Sequence, residues 1–215
     1  MTALLIDNDI VIKLARMDVF NEGVHAIGYS SADLGSLAVM LRYMGQLSEA
    51  RRLQLTHSKE EADRLHAALQ SITVIEPTDA ETRTIAKVGK LAVESGLDLQ
   101  EGELMLAVIA VSRGNLRIAT GDKRALRSLP ALETRWLDAG ALRRQLYCLE
   151  QIFKSICATL GLQRVRAAVN TSPRADETIR FAYDNMQMSG KTAFIAFLDL
   201  VIKEHVEKPA PGWLA

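Results

Sequence analysis

Near the amino end the apolar positions come first as an unbroken run and then at helical spacing. Leu4, Leu5 and Ile6 close up against Asp7, after which Ile10, Val11 and Leu14 recur on one helical face. A short apolar run reads as a buried strand, so residues 3 to 6 and the helical spacing after them predict a βα unit. Ala26 to Tyr29 fit a short strand or the lead into a helix. Ser30 or Ser31 would cap a helix carrying Leu34, Leu37, Leu41 and Met44, and two or three amphipathic helices would fill residues 32 to 70.

The alternation continues. Ile72 to Ile75 predicts a strand, and Thr78, Asp79, Ala80 and Glu81 form a capping box that opens a helix to about Glu94. Asp98 to Glu101 reads as a second capping box, which gives Glu101 a structural task and leaves Glu103 without one. The helix it opens, Leu104 to Val111, is apolar nearly all round and should lie buried against a sheet until Gly114 and Asn115 stop it. Leu116 to Ala119 predicts another strand, Ala125 to Leu129 a short helix stopped by Pro130, and Leu132 to Leu137 a final strand. Strands alternating with helices predict a three-layer α/β/α domain with a mostly parallel sheet over residues 1 to 137.

Beyond Gly140 only helical spacing remains. Leu142, Leu146, Leu149, Ile152, Phe153 and Ile156 mark a long amphipathic helix ended by Gly161. Asp176 to about Met186 and Thr192 to about Val206 repeat the period after the turn at Thr171, Ser172 and Pro173, and the tail from Pro209 to Gly212 should be extended. Residues 138 to 215 therefore read as a helical extension packed on the first domain. Its apolar faces exceed what one small sheet domain can cover, which predicts some of Leu142, Leu146, Phe153, Phe194, Phe197 or Val201 at a subunit or partner interface.

Composition narrows the picture. A chain of 215 residues that is 48% hydrophobic can bury a core, and its 26 basic and 26 acidic residues cancel, so any surface for a polyanion must be a local patch. No basic segment precedes the first apolar run, and no run approaches the roughly 20 residues of a membrane helix, so a cytoplasmic protein is expected. Cys148 and Cys157 stand nine residues apart in a predicted helix. A rise of about 1.5 Å per residue then separates them by about 13 Å, too far for a disulfide, and they read as small core residues. His25, His57, His66 and His205 lack metal-ligand spacing.

The chemistry concentrates in three carboxylates. Asp7 ends the first strand, Asp122 follows Thr120 and Gly121 at the end of another, and Glu103 follows Gly102 at the start of the apolar helix. Acids at the carboxyl ends of parallel strands meet at the crevice where open α/β sheets bind ligands, and crowded like charges are tolerable there around a cation. Each also has a plainer role: Asp7 as a helix cap, Asp122 as a turn residue, Glu103 as an acid in a first helical turn. Lys123 and Arg124, next to Asp122, suit flanking phosphates. Asp9, Glu101 and Thr120 are secondary candidates, and Asp33 is the nearest prospect for a further acid. Ser189, Gly190, Lys191 and Thr192 do not make a phosphate loop, because Met186 stands where the required glycine belongs and no strand precedes them.

Asp7-Asn8-Asp9 with the apolar helix after it, Glu101-Gly102-Glu103 opening the second apolar helix, and Thr120-Gly121-Asp122-Lys123-Arg124-Ala125-Leu126 together resemble the PIN domain, a family of metal-dependent ribonucleases, over roughly residues 1 to 137. The resemblance implies Mg²⁺ or Mn²⁺ held by Asp7, Glu103 and Asp122, a metal-activated water, and a cut in single-stranded or structured RNA. It leaves open a toxin with an antitoxin-like protein partner, an RNA-processing enzyme, and a homodimer. Two rival readings stand beside it. In a haloacid-dehalogenase-like phosphatase Asp7 would be the nucleophile and Asp9 the acid-base, but Leu126 occupies the place of an acid that family needs. In a catalytically incomplete PIN-like module the same crevice would bind RNA or protein without cutting.

Overall fold

In the computed structural model, which describes residues 2–39, 49–114 and 116–215, the first strand β1 (Leu4–Ile6) lies at the centre of a sheet and is fully buried. It pairs in parallel on both sides, with β2 (Leu34–Leu37) and with β4 (Arg117–Ala119). Strand β3 (Thr73–Ile75) pairs with β2 and β5 (Leu146–Tyr147) with β4, giving an all-parallel order β3-β2-β1-β4-β5. The helices between strands include α1 (Asn8–Arg16), α2 (Phe20–Ala26), α3 (Glu49–Thr56), α4 (Lys59–Gln70), α5 (Asp79–Glu94), α6 (Glu101–Arg113) and α7 (Lys123–Glu133). Parallel strands need such crossovers, and α1 against α4 and α5 against α6 cover the sheet as a three-layer α/β/α fold. Helices α8 (Leu149–Leu160), α9 (Leu162–Thr171), α10 (Glu177–Met186) and α11 (Gly190–Ile202) complete the chain. None of the described helices is long and apolar enough to cross a membrane.

Several elements match their sequence signals closely. Thr78 caps α5 as expected, its hydroxyl accepting from Glu81 while the Glu81 carboxylate accepts the Thr78 N–H at 2.7 Å. Helix α6 buries Leu104, Leu106, Ala107, Val108, Ile109 and Ala110, and ends at Gly114 with φ 63°. Cys148 and Cys157 are both buried and unbridged.

Other expectations are corrected. Leu34 and Leu37 belong to strand β2, not to a helix; Leu41, Met44 and Asn115 lie outside the described residues. All four β2 residues are buried, so there is no one-sided pattern to tell strand from helix. A Cβ on Gly35 would stand 2.7 Å from side-chain atoms of both Ile75 and Thr2, a close approach that marks glycine in a strand. Ser30 caps only the single 3₁₀ turn Ser31–Asp33, and the residues from Phe20 to Ala26 form a helix that the pattern did not suggest. Helix α7 runs through Pro130 because Leu126, Leu129 and Leu132 keep its buried face continuous. The expected strand from Leu132 to Leu137 is instead the end of α7 and the start of the 3₁₀ turn Leu137–Leu142, with Trp136 N–H donating to Leu132 O at 2.8 Å.

The sheet therefore extends past residue 137, and the helix expected from Leu142 begins only at Leu149, capped by Cys148. The tail past Pro209 turns and then adds to the sheet: Leu214 bridges Leu146 in parallel, and Ala215 N–H donates to Leu146 O at 2.7 Å. Of the residues expected at an interface, Leu142, Leu146, Phe153, Phe194 and Val201 are buried within their own chain, whereas Phe197 is only half-buried. Helix α8 lies between α2 and α11, which is how these apolar faces find partners within one chain.

One buried polar network ties the extension to the core. Arg16 on α1 donates to Glu61 on α4 at 2.8 Å, and Ser172, which follows α9, donates to the other Glu61 oxygen at 2.7 Å. Removing one partner of a buried ion pair leaves the other charge uncompensated, at a cost of about 3–5 kcal/mol. Glu61→Ala should lose about that much stability in urea unfolding. A loss below about 1 kcal/mol would show that the pair contributes little to holding these three elements together.

Candidate functional site

The strand order reverses direction between β1 and β4, since β2 and β3 lie to one side of that pair and β5 to the other. Such a switch point opens a crevice at the carboxyl ends of the strands. Asp7 directly follows β1, and its N–H donates to Ala119 O at 2.9 Å, which fixes it beside the end of β4. Its carboxylate caps α1 by accepting the Asn8 N–H at 2.7 Å and takes the Thr120 hydroxyl at 3.3 Å. Thr120 is buried, and it also accepts the Asp122 N–H at 3.2 Å, so one hydroxyl joins the ends of both strands.

Asp122 caps α7, accepting the Arg124 N–H at 2.7 Å and the Arg124 guanidinium at 2.6 Å. Glu103 lies in the first turn of α6, where its carboxylate accepts the Gln100 N–H at 2.9 Å. That bond overturns the expected capping box. The cap is Gln100, Glu103 has the third-position task, and Glu101 is exposed. The register differs because α6 starts at Glu101, while Asp98 faces Arg124 at 3.7 Å.

The three acids sense one another. Burial pushes the Asp7 carboxyl above its ordinary range against the pull of the Asn8 N–H, and the charges of Asp9 and Asp122 push it further. Burial likewise raises Glu103, to about 7, against the Gln100 N–H and with the charges of Asp122 and Asp7 adding to the rise. At Asp122 burial acts in the same direction, but the hydrogen bonds and charge of Arg124 more than offset it and hold the carboxyl low. Each carboxylate is turned onto its local partner. Among the described residues no three acid, imidazole or thiol groups stand together closely enough to hold one metal ion.

The remaining candidates have partners of their own. Asp9 pairs with Lys13 at 2.7 Å, and Lys13 also holds Asp176 at 3.0 Å. Burial would lower the Lys13 ammonium, but the charges of Asp176 and Asp9 keep it raised. Gly121 leaves room for Asp9, since a Cβ there would stand 2.0 Å from an Asp9 carboxylate oxygen. Lys123, expected on phosphate, pairs with the buried Glu150 at 2.5 Å. Arg124 is exposed and shared between Asp122 and Asp98. Asp33 lies at the opposite, amino end of β2, capping Ser30, and takes no part in the crevice.

Lys13, Asp176 and Glu150 went unrecognised as neighbours of the site. Lys13 was legible, four residues after Asp9 on one helix, whereas the two acids arrive only through the packing of the extension. The Asn8 side-chain oxygen is buried with no hydrogen-bond partner among the described residues. A separate hollow of about 510 Å³ lies at the amino ends of the strands, beside Ala15, Ser31 and Ser71. Its cations are already engaged, Arg64 by the carbonyls of Ala15 and Arg16 and Arg164 by Glu22.

Comparison with family models, with curated proteins and with solved structures returns no match.

The raised Glu103 carboxyl makes a prediction about the metal-free protein. Its folded value, about 7, exceeds the ordinary 4.5, so the folded state binds more protons between those values and stability falls as pH rises through that window. Glu103→Gln should remove the part of that fall nearest neutral pH, measured by urea unfolding in a chelator across the window. Parallel pH profiles for the two proteins would overturn the assignment.

Proposed function

We propose that the protein is a metal-dependent ribonuclease that cuts single-stranded RNA at the crevice between β1 and β4. The observation that carries this reading is the meeting of Asp7 and Asp122 at the topological switch point, with Glu103 feeling both charges. Acids gathered at one sheet end, two of them with carboxyls raised by burial and by neighbouring charge, support a hard divalent cation as a common partner once they turn from their caps.

The donor set fits Mg²⁺ or Mn²⁺ in kind. Asp7, Glu103 and Asp122 supply carboxylate oxygens, and the unpartnered Asn8 oxygen is a further hard donor at the same strand end. Mg²⁺ is content with a few protein oxygens because it keeps several waters. When bound, the ion would lower the pKa of a water and offset charge on the phosphate. The side chains have their own tasks. Thr120 orients Asp7, Glu103 takes up or releases a proton near neutral pH as its surroundings change, and Arg124 can turn from Asp122 toward a phosphate beside the cut. The caps that now hold Asp7, Glu103 and Asp122 favour a second reading, a module that binds RNA without cutting it.

The experiment is cleavage of a labelled single-stranded RNA with Mg²⁺ or Mn²⁺ and with chelator. Asp7→Asn and Asp122→Asn should each reduce cleavage by about 100-fold or more, as expected when a few kcal/mol of charge stabilisation is lost. Asp7→Asn should leave the metal-free fold as stable or more so, because it removes a buried, repelled charge. Asp122→Asn keeps a good capping residue and should cost no more than about 1 kcal/mol. Metal-independent cleavage, or full activity in both variants, would sink the reading.

A further inference from the structure

The helical extension leaves an open groove of about 570 Å³ between α10, α11 and the start of α7. Its apolar part is aromatic: Phe181 from α10 and Phe197 from α11 have ring centroids 5.8 Å apart at a tilt of 45°. Phe197 is half-buried, yet Phe181 beside it is 56% exposed, so a flat ring face is held in place by packing and still open to solvent.

Basic residues lie in and beside the groove. Arg180 precedes Phe181, is exposed, and has no carboxylate partner among the described residues. His205 lines the groove, and Arg127, outside the lining, donates to the His205 carbonyl at 2.9 Å and has no acid partner among the described residues. One acid, Glu177, also lines the groove.

Two residues of the groove wall are chain neighbours of acids at the crevice. Lys123 directly follows Asp122. Glu177 directly follows Asp176, which shares Lys13 with Asp9. An open aromatic face beside an unpaired arginine, one residue along the chain from acids of the crevice, has the chemistry of a single-strand track. Every base offers a π face for stacking whatever its identity, and phosphates take the arginines. A duplex keeps its bases stacked on one another and cannot use such a ring.

We propose that this groove holds the unpaired stretch of RNA next to the bond presented to the crevice, with a base stacked on Phe181 and phosphates on Arg180 and Arg127. The proposal rests on the ribonuclease reading of the crevice and adds to it a site on the helical extension, outside the crevice, that holds the flanking strand.

The test measures binding apart from cutting. Full-length Asp7→Asn protein is titrated against a fluorescein-labelled oligouridylate of about a dozen nucleotides, long enough for a single-strand track, with fluorescence anisotropy as the readout. In that background Phe181→Ala should weaken binding about ten-fold or more, the loss typical of one base–aromatic stack, while Phe181→Tyr keeps the ring and the affinity. Arg180→Gln should weaken binding and flatten the dependence of log affinity on log salt by about 0.7, as for one lost phosphate contact on a single strand. An abasic strand should bind the Phe181→Ala protein and its parent alike.

If Phe181→Ala and Arg180→Gln bind the oligouridylate as the parent does, or if the parent binds base-bearing and abasic strands equally, the groove serves another partner and the proposal is overturned. No binding by the parent overturns it as well. The expected binding pattern, in a protein whose wild type cuts no RNA with either metal, would remove the ribonuclease reading and leave the groove as a single-strand site.

Discussion

No side chain of β1 reaches water, and everything at its carboxyl end takes its position from that fact. With a strand bonded on each side and helices over both faces, β1 cannot shift without opening the core. Asp7 is carried at its tip, its N–H pinned to β4, and the Ser36 hydroxyl of β2 bonds the carbonyl of the residue before it at 2.6 Å. A carboxylate anchored this firmly at the edge of an apolar core recovers only part of its hydration. It must be met there by hydrogen bonds, by a proton or by a cation, and the surrounding groups divide that work among them.

The division is visible residue by residue. Backbone N–H groups at three helix starts meet Asp7, Asp122 and Glu103, so the positive ends of α1, α7 and α6 all face the same crevice. Helix starts of this kind favour anions, and in this structure the three carboxylates take that place themselves.

Much of the fold was legible because its signals are local. The apolar run before Asp7, the Thr78 box and the all-apolar face of α6 each lie within one element. Strand β2 was not, since its four residues are buried on both sides and carry no period, and β5 is two residues long and exists only through β4 on one side and the tail at Leu214 on the other. Asp7 and Asp122 could be located because an apolar run ends just before each. The roles of Glu101 and Glu103 were exchanged because Gln100, not Asp98, caps α6, and Asp98 lies instead against Arg124 of a distant segment. Asp176 and Glu150 lay beyond reach for the same reason.

The pairing of Lys123 with Glu150 has a consequence for the charge of the crevice. An ammonium placed directly after Asp122 would otherwise be a ready internal counterion for these acids, neutralising the cluster and weakening its pull on any incoming cation. Glu150, 2% exposed at the start of α8, holds the lysine at 2.5 Å instead. The extension thus acts as an electrostatic sink, drawing a competing positive charge away from the sheet end. Shortening the side chain of Glu150 would be felt across α7 as a less negative crevice, although that residue touches none of the three acids.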